Sequence, residues 1–273
     1  MDEKRVKELI KIGRNFMKKE MGEEDDFISD QEKKLPQPPL VRAAKSEIQI
    51  SLPTHFEDLH VEKDFFQIVN SRKSSRIFTK ESLSLLELSY LLWVSQGVKE
   101  IRGKSYATIR TVPSGGARHG FETNLLVLNV EGLQPGKYHY LPMSHSLEYF
   151  GDINHKEEKI SESVSGQSWA SKAAVMFYYS FVPYRCEWRY GIYAHRPALM
   201  DVGHVGQNLY LACSALEIGT CALAAFDPSV CNALFDLVGE EEFVVYVFPV
   251  GKISKKDKEK EDAFYAFVKE EGL

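Results

Sequence analysis

The sequence predicts a protein of mixed α and β structure, and three observations carry that prediction. Residues 173–182 and 243–250 are short, nearly unbroken apolar and aromatic runs, as expected of strands buried on both faces. Residues 137–140 and 147–150 are β-rich segments around a turn at 143–146, which reads as a hairpin. Over residues 197–216, Leu199, Val202, Val205, Leu209, Ala212 and Leu216 step along one face of the longest helical pattern in the chain.

Composition sets the bounds. The 273 residues are 44% hydrophobic and 27% charged, enough for one large domain or two small ones with a core that needs no staples. A net charge of -5 argues against nucleic acid as a partner. The four cysteines, Cys186, Cys213, Cys221 and Cys231, have no CxxC spacing, and no Cys/His cluster has zinc-ligand spacing. They read as reduced, buried thiols of a cytoplasmic protein, with no metal site. The charged N-terminus lacks the apolar core of a signal peptide, and no apolar run is long enough to cross a membrane.

In chain order, residues 3–20 predict a basic amphipathic helix, with Val6, Leu9, Ile10, Phe16 and Met17 at helical spacing. Such a helix would dock on its own body or on a dimer mate. Residues 21–55, acidic at 23–26 and proline-containing at 35–39, predict an extended arm that wraps the body. Ser84 and Glu87 form a capping-box pattern, and Leu85, Leu88, Leu91 and Leu92 continue it as a helix to about Ser95, ended by Gly97. Trp93 on that helix reads as core. Residues 99–104 read as a basic, glycine-containing loop. Residues 122–130 predict a strand, and Gly219 is expected to end the long helix. Asp227 and Pro228 read as a cap and first helical residue of a short helix to about Leu237. The charge run 255–262 reads as a solvated helix end.

Two stretches carry candidate chemistry. Residues 71–76 (Ser71, Arg72, Lys73, Ser74, Ser75, Arg76) place three cations and three hydroxyls before an apolar Ile77-Phe78. Arginine forks, a lysine point charge and neutral hydroxyl donors suit a phosphate. In an extended segment Arg72, Ser74 and Arg76 would share one side. A solvated basic turn before a helix is the competing reading. Residues 110–120, with Pro113, Ser114, Gly115, Gly116 and Ala117, are small enough for backbone to approach a flat ligand, or form a simple turn. His119 in this stretch reads as a satisfied or surface histidine.

Together these blocks resemble the SagB-type dehydrogenases, a branch of the FMN-dependent nitroreductase superfamily. The resemblance runs over roughly residues 64–252. It rests on the 71–76 stretch, the helix 85–95, residues 110–117, the hairpin after residues 130–136, and Gly203-His204-Val205-Gly206-Gln207-Asn208-Leu209. It implies an α+β fold in which helices wrap a central, mostly antiparallel sheet. It also implies an obligate homodimer with FMN at the interface. Residues 1–60 would form the N-terminal helix and arm, and residues 61–273 the FMN-binding domain.

The resemblance assigns Arg72, Lys73, Ser74 and Arg76 to the FMN phosphate and ribityl chain. It lays Pro113, Ser114, Gly115 and Gly116, from the partner chain, against the isoalloxazine. Leu223, Ala224 and Ala225 would lie along the flavin's polar edge, where plain nitroreductases carry a Glu-Gly pair. Lys252 is either a second phosphate charge or a surface lysine. The branch's Lys-Tyr acid/base pair falls on Arg189 and Tyr190, so the lysine has become an arginine, which stays protonated and cannot be a base. Tyr190 remains able to give or take a proton; both residues are otherwise walls of the substrate pocket.

The implied activity is FMN-dependent dehydrogenation of a peptide-derived or small-molecule substrate. The alternatives are a nitroreductase or quinone reductase with NAD(P)H as electron donor, and a non-catalytic flavin-binding subunit of a synthetase complex.

Overall fold

The structure, a computed structural model, describes residues 2–18 and 26–272. In chain order its elements are α1 (Glu3–Lys18), β1 (Gln49–Ser51), α2 (Phe65–Ser71), α3 (Leu85–Gln96), β2 (Val98–Arg102), β3 (Ala107–Arg110), β4 (Phe121–Val127), β5 (Gly136–Leu141), β6 (Ser146–Tyr149), α4 (Lys156–Ser163), β7 (Val175–Phe181), α5 (Pro183–Tyr190), α6 (His195–Ala215), β8 (Ile218–Thr220), α7 (Pro228–Leu234), β9 (Phe243–Lys252) and α8 (Lys255–Glu270).

Among the described residues, seven strands form one sheet in the order β1-β6-β5-β4-β7-β9-β8, and every neighbouring pair is antiparallel. The fold is the expected α+β arrangement of helices around a large antiparallel sheet. Strand periodicity divides the core in two. Val175, Phe177, Tyr179 and Phe181 of β7 face α3 and α6, while Met176 and Tyr178 face α4 and α7. Both strand faces are buried, which is why β7 reads as one unbroken apolar run.

Local signals place several helix ends. Ser84 Oγ accepts the Glu87 N–H at 3.1 Å and Glu87 accepts the Ser84 N–H at 2.9 Å, closing the capping box of α3. Asp227 caps α7, which ends at Leu234 rather than near Leu237. The 99–104 stretch, expected as a loop, lies largely in a strand: β2 pairs with β3 to make a separate hairpin. The long helix ends at Ala215 with Leu216 as its C-cap, and Gly219 lies inside β8.

Leu199 departs from the apolar face expected for α6 and is 53% exposed. Two steps of three residues back from Val205 turn it about 120° round the axis. Residues 23–25 of the acidic stretch lie outside the described residues. The described part of the arm crosses its own body. Gln31 donates its N–H to Trp188 O at 2.8 Å, Trp188 Nε1 donates to Leu35 O at 3.0 Å, and β1 extends the sheet beside β6. Phe16 of α1 closes an apolar cavity with Phe121, Phe181 and Ala198.

Where the arm crosses β4, β5 and β6 it covers a buried ionic cluster. His139 places Nδ1 2.8 Å from Glu148 and Nε2 2.9 Å from Glu122, and Arg185 pairs with Glu122. The arm completes the cluster through its backbone. Arg42 N–H donates to Glu122, and Lys45 and Ser46 N–H donate to Glu148 at 2.6 and 2.8 Å. Burial raises the Glu122 carboxyl, but Arg185, His139 and Arg42 together outweigh it and hold the group well below the usual carboxylate range.

Candidate functional site

Two groups of residues gather on α6, one on each half. The first begins where α2 ends. From Arg72 the chain is extended and bonded to the sheet corner at two points. Ser75 N–H donates to Thr220 O of β8 at 2.8 Å, and Thr79 N–H donates to Lys252 O of β9 at 2.9 Å. The close approach depends on Gly219, where a Cβ would lie 2.9 Å from Ser75 Cβ.

Side chains alternate along this strip as extended backbone requires. The Arg72 guanidinium lies 5.2 Å from the centre of the Tyr210 ring, and Ser74 Oγ is 2.8 Å from the Tyr210 hydroxyl. Ser71, Lys73 and Ser75 line an adjoining cavity of about 500 Å³. Arg76 is exposed. Lys252 reaches the same corner and pairs with Glu87 of the α3 cap.

The 222–225 segment joins this corner. Ala222 N–H donates to the Tyr210 hydroxyl at 2.7 Å. Leu223 is bridged to Val247 of β9 through both main-chain groups, at 2.8 and 3.3 Å. Ala224 and Ala225 are exposed, and Ala225 O accepts from Gln167. The structure therefore brings Arg72, Ser74 and the segment before Leu223 onto one side chain, Tyr210.

The second group surrounds the 113–116 loop. Asp201 on the first half of α6 accepts the Ser114 hydroxyl at 2.7 Å and the Gly115 N–H at 3.0 Å, and Ser114 Oγ accepts the His119 N–H at 2.9 Å. Burial raises the Asp201 carboxyl above its ordinary value, against the two hydrogen bonds. Gly116 has φ +57°, a conformation that favours glycine. Its missing Cβ also matters: built there, it would lie 2.6 Å from the Tyr190 hydroxyl and 2.9 Å from Arg189 Nε. The structure thus places Arg189 and Tyr190, at the end of α5, directly on the glycine loop of the same chain. Arg189 donates to the Tyr106 hydroxyl at 2.8 Å, which also receives Gln31 of the arm. Phe27 packs on Gly191, so the arm roofs this end of α5.

Other candidates resolve as structural. His119 is buried, and desolvation with Arg110 nearby pushes it down to about 3, so it stays neutral near pH 7. Tyr178 and Tyr179, aromatics in the 173–182 run that could in principle stack on a planar substrate, are fully buried in the core. All four cysteines are buried, and no metal-binding cluster occurs among the described residues. No helix among them is long and apolar enough to cross a membrane.

The sequence reading passed over Asp201 and Tyr210. Asp201 did leave a signal, an acid beside Val202 on the inward stripe of a helix. Tyr210 left none, because its partners lie 136 and 12 residues away.

The two groups sit on one helix nine residues apart, about 14 Å along its axis. Comparison with known proteins fits this geometry. The model of the nitroreductase family matches residues 69–252. A nitroreductase-type protein of Methanocaldococcus jannaschii is 30% identical over 205 residues, 75% of this chain and 96% of its own. The microcin B17-processing protein McbC of Escherichia coli is 30% identical over 124 residues, 44% of this chain and 46% of its own. Among solved structures, a nitroreductase-type protein of Ralstonia eutropha superposes with TM-score 0.63 at 23% identity, covering 81% of this chain and 95% of that one. A chain of the E. coli microcin synthetase McbBCD complex, solved with truncated pro-MccB17 bound, gives TM-score 0.58 at 23% identity, with 86% of each chain covered.

Proposed function

The chain belongs to the nitroreductase family, and from that premise we propose that it is an FMN-dependent oxidoreductase of the SagB-type branch. Its substrate would be a peptide-derived or small molecule that gives up two electrons. The observation that carries this reading is the 72–76 strip, three cations and two hydroxyls fastened by main-chain bonds to the corner of the sheet. That donor set suits a phosphate monoester: guanidinium forks from Arg72 and Arg76, a point charge from Lys73 and a neutral donor from Ser74. Lys252 would join them by exchanging Glu87 for the phosphate. Leu223, Ala224 and Ala225 would border the flavin's polar edge. The partner subunit of a homodimer would bring its own 113–116 loop against the ring, where small residues leave room for a flat group. The likeness to McbC supports the SagB-type branch. Four buried cysteines with no disulfide among them suit a cytoplasmic protein.

Bound FMN would supply the two-electron acceptor chemistry, and the chain would supply orientation and proton handling. Tyr190, its hydroxyl beside Gly116, would hold the proton that leaves the substrate. Arg189 cannot be a base; its hydrogen bond to Tyr106 fixes the end of α5 instead. Tyr190→Phe is expected to slow substrate oxidation about 10²–10⁴-fold, the usual contribution of a general base, with flavin content unchanged. Single-turnover reduction of bound flavin by substrate checks it, and an undiminished rate would remove Tyr190 from the mechanism.

The nitroreductase name of the M. jannaschii relative supports a second reading, a reductase of nitroaromatics; with NAD(P)H as electron donor the same chemistry would extend to quinones. McbC and the microcin synthetase complex point to a third, a flavin-binding subunit of a larger assembly. One experiment separates them: the absorption spectrum of the purified protein, then anaerobic NADPH and NADH. A yellow protein that stays yellow supports the dehydrogenase, and reduction by an added substrate then distinguishes it from a non-catalytic subunit. Prompt bleaching selects the reductase. A colourless protein that FMN cannot reconstitute overturns the flavin reading.

A further inference from the structure

We propose that Tyr210 is the positioning residue of the anion grip, holding Arg72 and Ser74 in the orientation in which both can donate to a phosphate. The proposal rests on the flavin reading above and goes beyond it by assigning a residue outside the cationic strip.

Ala222 N–H can only donate, so the Tyr210 oxygen accepts it, at 2.7 Å. The tyrosine has one hydroxyl hydrogen left. Either hydroxyl can donate across the 2.8 Å to Ser74 Oγ; in the proposed arrangement Tyr210 donates, Ser74 accepts, and the serine's own hydrogen is left to point at a ligand. Burial raises the Tyr210 hydroxyl above its ordinary value, so the hydrogen is retained. The ring acts on Arg72 in a complementary way. A guanidinium over an aromatic face is held through its π surface, here at 5.2 Å from the centroid. That contact occupies no hydrogen-bond acceptor, so the guanidinium can still make a bidentate contact to a phosphate. One side chain, half-buried on α6, thus sets two alternate residues of the strip and ties them to the 222–225 segment.

The test is a double-mutant cycle on flavin-stripped full-length protein, titrated with FMN. Tyr210→Phe keeps the ring beneath Arg72 and removes the hydroxyl. It is expected to weaken FMN binding about tenfold, as is Ser74→Ala, in line with a hydrogen bond to a charged group. If Tyr210 acts through Ser74, the two losses are not additive, and the double variant binds no more than about twofold worse than Ser74→Ala alone. Riboflavin, which lacks the phosphate, should lose about twofold or less to Tyr210→Phe. Thermal melting of each variant reports folding.

An additive cycle, about a hundredfold in the double variant, overturns the proposal while leaving the flavin reading intact. So does a Tyr210→Phe protein that binds FMN as the wild type does, or one that loses riboflavin and FMN equally. Failure of the wild type to bind FMN at all would overturn both.

Discussion

Replacing Arg72 and Arg76 together by alanine should strip the flavin from the protein. A hydrogen bond to a charged group contributes about 1.5–3 kcal/mol, so two phosphate contacts account for about 3–6 kcal/mol, or roughly 10²–10⁴-fold in Kd. Arg72 is partly buried against Tyr210, whereas Arg76 is exposed, so solvent weakens the second contact more. FMN bound by the wild type should remain after desalting, and the double variant should elute colourless. The fold should not change, because the main-chain bonds of Ser75 and Thr79 hold the strip to the sheet whatever side chains stand at 72 and 76. Flavin retained at full occupancy in the variant would place the phosphate elsewhere.

The second large effect concerns stability. Glu122 is 2% exposed and is shared by Arg185, His139 and the Arg42 backbone. Glu122→Ala would leave Arg185 buried without its carboxylate partner and the Arg42 N–H of the arm without its acceptor. Breaking a buried pair in this way costs about 3–5 kcal/mol, a fall in Tm on the order of 10 °C for a chain of this size. Removing the exposed Arg5–Glu8 pair on α1 should leave Tm unchanged. The variant's arm should also become sensitive to protease between residues 26 and 48. An unchanged melting curve would show that the cluster does not hold the arm.

The same cluster sets a pH dependence. The Glu122 carboxyl is held below its unfolded value, so its contribution is complete above the ordinary carboxylate pKa and is lost as pH falls through the folded value. Acid unfolding of the wild type should therefore be accompanied by release of the arm, and Glu122→Gln should lessen the acid dependence.

Much of this architecture was legible locally. β4, β5, β6, β7 and β9 announce themselves through apolar runs, and α3 through its capping box. The cationic strip is contiguous in sequence, so its chemistry can be read without a fold. Other elements were hidden for definable reasons. α2 is seven residues long and has no buried face, so it offers no periodicity to detect. β2 is polar and exposed along most of its length, and only its pairing with β3 makes it a strand. Leu199 was misplaced because steps of three drift round a helix of 3.6 residues per turn.

The sequence by itself determined the buried strands, the N-caps of α3 and α7 and the identity of the cations offered to a ligand, since each depends on neighbours within a few residues. Tertiary structure alone decided how those groups are aimed. Tyr210 reaches Ser74 across 136 residues and Asp201 reaches Ser114 across 87. His139 meets Glu122 and Glu148 only through the register of β4, β5 and β6. Burial then made these contacts obligatory, because a polar group withdrawn from water must find its partner within the fold.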